Sequence, residues 1–263
     1  MRILMCRPDY FEVDYEINPW MNVNKKADHN AAVNQWEILY KSIKNCGAQV
    51  DLVQPVVGWP DMVFTANAGL FYENKLIMSH FKYKERQGEI PYYKTWFTQA
   101  GFEIINNNTP TSPFFEGAGD ALSAGGNLFA GYGFRSDLSF YEQASYLNHN
   151  KIIFCELTDP YFYHLDTCFC PLNDNLAIWY PQAFTKESQK SMAENIELIP
   201  VVEEEAKRFA CNAVVINNNV ILPNLCPQIS AALKERNYIT HACDMTEFLK
   251  SGGACKCLTL RID

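Results

Sequence analysis

The sequence predicts an α/β fold in which five ββαβ units close into a ring, a five-bladed α/β propeller built as a single domain over residues 1–263. Three observations lead there. The first is an internal repeat that places Asn67, Asp120, Asp166, Asn212 and Cys257 in one register, at intervals of 53, 46, 46 and 45 residues. The second is that each segment runs from a small polar or reactive residue into an apolar stretch, and four of the five then show an Asn- or Gly-rich turn and a second apolar run. That is the pattern of a β-hairpin. The third is helical periodicity between hairpins, as a ββαβ unit requires.

In chain order, the first element is the apolar strand MRILMC at the N-terminus. From Ala31 to Asn45, apolar residues at Val33, Trp36, Leu39, Tyr40 and Ile43 share one face and predict a helix. The hairpins FTANAGLFYENKLIMS from Phe64 and EGAGDALSAGGNLFAG from Glu116 turn at Glu73-Asn74 and at Gly125-Gly126-Asn127. HLDTCFCPLNDNLAIWY from His164 and FACNAVVINNNVILPN from Phe209 turn at Asn173-Asp174-Asn175 and at Asn217-Asn218-Asn219. Such residues tolerate the positive φ of tight turns. Gln228 to Arg236 and Thr246 to Lys250 read as helices, the latter stopped by Gly252-Gly253. The last segment, GGACKCLTLRI from Gly252, lacks a return strand. The N-terminal strand is the natural partner to complete it and close the ring, which also removes exposed sheet edges.

Composition narrows the function. With 22 Lys+Arg against 30 Asp+Glu the net charge is −8, which disfavours a nucleic-acid groove. No run approaches the ~18 apolar residues of a membrane span, and the start lacks the features of a signal peptide. A soluble, cytoplasmic protein is expected, and a homo-oligomer is compatible with the sequence. The ten cysteines sit mostly in strand-like apolar runs and read as reduced, buried side chains. Cys168-x-Cys170 beside His164 lacks the paired C-x2-C spacing of structural zinc, so no metal is expected. In a ring, equivalent positions converge on the axis. Asn67, Glu116, Asp120, His164, Asp166 and Cys257 would then line one cavity holding a nucleophile, an acid/base and carboxylates.

At FTANAG, FEGAGD, YHLDTC and GGACKC the chain resembles the guanidine-modifying, pentein-fold superfamily of arginine deiminases, dimethylargininases, agmatine deiminases and amidinotransferases. Its signature of Glu before Gly-x-Gly-Asp, His-x-Asp and a late Gly-Gly-x-x-x-Cys occurs here in order. INPWM, GWPDMVFTANAGL, KERQGE, GYGFRS, FYHLDTCFCPL and GGACKCLTLR further resemble the arginine dihydrolase module of bifunctional arginine dihydrolase/ornithine cyclodeaminase enzymes. The resemblance stops at that module, so no cyclodeaminase activity is carried over. It implies L-arginine as substrate and covalent thiol catalysis without a cofactor.

The resemblance assigns Cys257 as nucleophile, and attack on a resonance-stabilised guanidinium carbon calls for a thiolate. Cys255, two residues earlier, is its neighbour. His164 is the acid/base, an imidazole whose ordinary pKa near ~6.5 suits giving and taking a proton. Glu116 orients it, as the third member of a triad does. Asp166 and Asp120 fall in the substrate-binding set, Asp166 matching a carboxylate to the planar guanidinium. Arg135 in GYGFRS and Arg86 in KERQGE are implied partners of the substrate carboxylate, and Asn18 in INPWM adds a polar contact or caps a helix before Pro19. Asn67 departs from the carboxylate of deiminases and dimethylargininases. A neutral amide can hold guanidinium first and ureido second, which implies two rounds of hydrolysis to ornithine, two ammonia and carbon dioxide. A deiminase or dimethylargininase stopping at citrulline, and a catalytically silent binding protein of the same fold, are the alternatives.

Overall fold

The structure, a computed structural model, describes residues 1–105, 109, 111–144, 147 and 151–263. Its strands are β1 (Arg2–Cys6), β2 (Gln49–Val53), β3 (Gly69–Tyr72), β4 (Lys75–Met78), β5 (Glu103–Ile105), β6 (Ala121–Ala124), β7 (Asn127–Tyr132) and β8 (Lys151–Glu156). They continue with β9 (Phe169–Pro171), β10 (Leu176–Trp179), β11 (Glu197–Pro200), β12 (Val214–Ile216), β13 (Asn219–Pro223), β14 (Ile239–Cys243) and β15 (Leu260–Arg261).

Among the described residues these form five three-stranded sheets with one plan: an antiparallel hairpin, then a third strand parallel to the second. A parallel neighbour needs a crossover. The helices Ile90–Gln99, Leu138–Gln143, Lys186–Ala193 and Pro227–Glu235 supply it in four units, and His29–Asn45 supplies it between β1 and β2. The expected completion of the last unit is observed. β1 pairs antiparallel with β15 through Ile3↔Arg261 and Leu4↔Leu260, and parallel with β2. Among the described residues each sheet keeps its own strands, and neighbouring units are linked by the isolated antiparallel bridges His80↔Phe115 and Leu157↔Phe184 rather than by shared strands.

The hairpin turns use different chemistry. Glu73 and Asn74 both take positive φ (46° and 64°), as do Gly125 and Gly126, whereas of the Asn217–Asn219 group only Asn217 does. The Asn173-Asp174-Asn175 turn has no positive φ; the Asn173 side chain accepts the Asn175 N–H at 2.8 Å instead.

The helix His29–Asn45 starts at Asp28, whose carboxylate accepts the Ala31 N–H. Its buried face is Ala32, Gln35, Trp36, Leu39 and Ile43, so it is rotated slightly from the apolar stripe the sequence offered. Gln35 is the reason. It donates to Thr246 Oγ1 (2.8 Å) and accepts the Glu247 N–H (3.0 Å), so a polar residue is buried with its bonds made. The apolar core divides among the sheets, one cluster running from Phe129 through Phe169 to Leu233 and a second holding Ile3, Trp36, Phe248 and Cys257. No helix of the described residues is long and apolar enough to cross a membrane.

Candidate active site

The five register positions lie where the chain enters the first strand of each hairpin, three of them in or beside short 3-10 turns at Thr65–Ala68, Gly117–Gly119 and Leu165–Thr167. Each such turn is bonded to the next. Asn67 Nδ2 donates to Glu116 O (3.0 Å), Leu165 N–H to Asp120 Oδ1 (3.0 Å), and Asn212 Nδ2 to Asp166 O (2.9 Å). Cys257 N–H donates to Asn212 Oδ1 (3.1 Å), and Ala66 N–H returns to Cys257 O (3.1 Å). These contacts need backbone room. Gly117 sits at φ +64°, and a Cβ there would lie 2.7 Å from Gly69 O.

Cys257 is buried, and its Sγ lies 3.5 and 3.7 Å from the Asp166 carboxylate oxygens. Asn212 Nδ2 donates to the same sulfur at 3.0 Å. Burial and the Asp166 charge push the thiol well above its ordinary pKa, against the pull of Asn212 and Lys256. Burial likewise raises Asp166, to about 6. Lys256 offsets the Asp166 charge only in part, and a guanidinium beside Asp166 would further neutralise the repulsion that holds the proton on sulfur. Cys255 is equally buried but does not line the cavity that holds Cys257; its thiol is paired with that of Cys243.

His164 Nε2 lies 2.7 Å from Glu116 Oε2. A carboxylate only accepts, so Nε2 carries a proton, which leaves Nδ1 as the ring nitrogen free to exchange one. Burial alone would raise the Glu116 carboxyl. Arg135, donating at 3.0 Å, and the His164 bond outweigh it and hold the group well below the usual carboxylate range. Lys82 N–H donates to Oε1 as well (3.2 Å), so Glu116 is fixed from two sides.

The cavity that Cys257 and His164 share is also lined by Asn18, Asp61, Asn67, Arg86, Arg135, Tyr163 and the loop Ser251–Gly253. It measures about 10 Å³, room for about one water, so an amino acid enters only if its walls move. Arg86 and Arg135 are not equivalent. The fork of Arg86 is spent on Glu89, with Nε to Oε1 at 2.8 Å and Nη2 to Oε2 at 2.9 Å, while Nη2 also donates to Asp61 O (3.1 Å) and Nη1 to Asn67 Oδ1. Of its five N–H donors one remains. Arg135 bonds Glu116 and Ile17 O, lies over the Tyr83 and Tyr163 rings, and keeps three donors. Asn18 donates to Ser251 O (3.0 Å) and accepts the Trp20 N–H (2.9 Å). It therefore ties the 17–20 segment to the loop before Cys257 rather than capping a helix.

One expected substrate contact is corrected. Asp166 and Asp120 both stand outside the cavity lining, but only Asp166 reaches the Cys257 sulfur; Asp120 is committed elsewhere. Its carboxylate accepts Ser136 Oγ–H (2.6 Å) and Leu165 N–H (3.0 Å), so it anchors the strand entry behind His164. Two residues that sequence reasoning passed over stand in the site. Asn212 occupied the repeat register all along. Asp61, inside the GWPDMVF block, is buried with Oδ2 accepting Tyr15 OH (2.8 Å) and Oδ1 without a partner among the described residues. Ser251 Oγ is likewise unpartnered. Unmet buried polar atoms converging on one cavity mark where a polar ligand is received. Among the described residues no group of three or more His, Cys, Asp or Glu side chains is placed to hold a metal ion.

The chain is 47% identical over 268 residues to the bifunctional arginine dihydrolase/ornithine cyclodeaminase ArgZ of Synechocystis sp., covering 100% of this chain and 38% of that protein. It thus spans about two fifths of that relative's length. A solved N-terminal domain of ArgZ, an arginine dihydrolase from the ornithine-ammonia cycle in cyanobacteria, matches at TM-score 0.94 and 47% identity over 99% of this chain and 97% of that chain. It is a cysteine-to-serine variant bound to substrate. An asparagine-to-serine variant of the same domain, covalently bonded to a reaction intermediate, matches at TM-score 0.94 and 47% identity over 100% of this chain and 97% of that one. The family model described as N,N dimethylarginine dimethylhydrolase, eukaryotic, matches residues 7–263, and the chain belongs to that family.

Proposed function

We propose that this chain is an arginine dihydrolase: it hydrolyses the guanidino group of L-arginine twice, with two waters consumed and ornithine, two ammonia and carbon dioxide released. The observation that carries the reading is one cavity joining Cys257 and His164 to Asn67, Arg135 and the unpaired Oδ1 of Asp61. The charges match the substrate end for end. Asp61 takes the α-ammonium, Arg135 with the last Arg86 donor takes the carboxylate, and Asp166 takes the guanidinium. The guanidinium then lowers the Cys257 thiol by offsetting Asp166, the thiol proton passes to His164 Nδ1, and the thiolate attacks the guanidinium carbon. His164 Nδ1 passes a proton to departing ammonia and takes one from water, giving bound citrulline. A second attack expels the second ammonia. Water then releases the thiocarbamate as ornithine and carbon dioxide. The covalent intermediate carried by the ArgZ variant supports this course. We assign residues 1–263 as one cytoplasmic catalytic domain, and the cyclic series of bonds between register positions supports its five sheets as blades of a closed ring.

Incubation with arginine is expected to release about two ammonia per ornithine, with little citrulline. One ammonia per citrulline, with no ornithine formed, would support instead a single round ending at citrulline. Asn67 decides between them. Its amide bonds Glu116 O and Arg86, which leaves one N–H and one lone pair for substrate. Asn67→Asp loses the donor, faces Glu116 O with a second acceptor and adds negative charge near the thiol. We expect kcat to fall roughly tenfold or more and the product to move toward citrulline. Chromatography of both amino acids over time checks this; unchanged ornithine alone would take Asn67 out of product control.

A further inference from the structure

We infer that Asn212 sets the reactivity of Cys257, fixing the nucleophile by its backbone and donating to its sulfur a hydrogen bond that a thiolate accepts more strongly than a thiol. The inference rests on Cys257 being the nucleophile. Asn212 is fully buried, and its amide is committed on every side that the structure describes. Nδ2 donates to Cys257 Sγ (3.0 Å) and to Asp166 O (2.9 Å), and Oδ1 accepts the Cys257 N–H (3.1 Å). The reversed amide would set oxygen against the Asp166 carbonyl, so the orientation with N–H toward sulfur is the one the surroundings require.

The backbone reinforces the side chain. Asn212 N–H donates to Phe209 O (2.8 Å), and Asn212 O accepts the Lys256 N–H (3.2 Å). Phe209 holds φ +63°, a left-handed conformation that a residue with a side chain seldom keeps unless its surroundings impose it. The turn therefore presents the amide to the Lys256–Cys257 segment at two points. On the other side of the sulfur stands Asp166, which favours the protonated thiol. Asn212 opposes Asp166, and it does so before substrate arrives. A cation at Asp166 then completes the change that the amide has begun.

The test is alkylation of Cys257 by iodoacetamide without arginine, followed from about pH 6 to about pH 10 and located by peptide mass spectrometry, because only the thiolate reacts. Asn212→Asp keeps the oxygen that holds the Cys257 N–H and removes the donor to sulfur. The alkylation profile is expected to shift up by about one pH unit or more, read as a roughly tenfold lower rate at a given pH, with kcat on arginine falling ~100-fold and KM changing less than ~threefold. Asn212→Ser, which restores a hydroxyl donor, is expected to recover part of both, and it decides the matter if Asn212→Asp does not fold by circular dichroism. An alkylation profile unchanged from the parent in the folded variant overturns the inference. If the profile moves but the parent makes neither ornithine nor citrulline, the proposed function fails and the role of Asn212 stands.

Discussion

Cys257→Ser is expected to abolish turnover, with kcat lowered by at least ~10⁴-fold. Serine fits the space, since the side chain it replaces is buried between Asp166 and Asn212 and is one heavy atom of similar reach. What it lacks is acidity. A hydroxyl beside the Asp166 carboxylate stays protonated even when a guanidinium is bound, and an alcohol is a poor nucleophile toward a carbon that resonance protects. Cys255→Ser is the control. Its thiol lies in the apolar cluster against Cys243 and away from the cavity, so the change is expected to cost ~1–3 kcal/mol of stability through a buried hydroxyl and to leave kcat within about threefold. Ammonia release and thermal unfolding of both proteins check the pair. Activity that survives in Cys257→Ser but not in Cys255→Ser would transfer the nucleophile to the neighbouring cysteine.

His164→Asn is expected to lower kcat by ~10²–10⁴-fold while enzyme accumulates with the substrate carbon on Cys257. Asparagine can still donate to Glu116, so the Glu116–Arg135 pair stays satisfied and the fold is preserved. It has no basic nitrogen to replace His164 Nδ1. Ammonia can leave with a proton drawn from the guanidinium itself, but the water that frees the adduct has no other base at hand. Intact-protein mass spectrometry soon after mixing with arginine should therefore show an adduct, placed on Cys257 by digestion. Unchanged turnover in this variant would remove His164 from the mechanism.

Sequence and structure divide this site along a physical line. Cys257 fell on the repeat register, whereas the roles expected of it, His164 and Glu116 came from the motifs shared with the superfamily. Asn212 shared that register and went unread because an asparagine in a strand entry resembles turn chemistry; only its 3.0 Å contact shows that it touches the sulfur. Asp61 was hidden for the opposite reason, standing outside the register in a 3-10 turn and lining the cavity directly, with Tyr15 on its carboxylate and Arg86 on its carbonyl. Asp120 was misread by the same register that found Cys257. Equivalent places in the repeat do not point at the same thing, because each unit meets a different neighbour. Arg86 looked like a free fork until Glu89, three residues on, was seen to fill it.

By itself the sequence determined the hairpins and their turns, the helices nearest the two ends of the chain, and the chemical inventory of the site. Those follow from local periodicity and turn chemistry, which a chain expresses within about twenty residues. The tertiary structure alone decided which polar atoms were already spent. Hydrogen bonding is saturable, so a carboxylate, amide or guanidinium acts on a ligand only with the capacity its distant neighbours leave unused. That remainder, one donor on Arg86, three on Arg135 and an unpaired oxygen on Asp61, depends on residues far apart in the chain and is written in no short stretch of it.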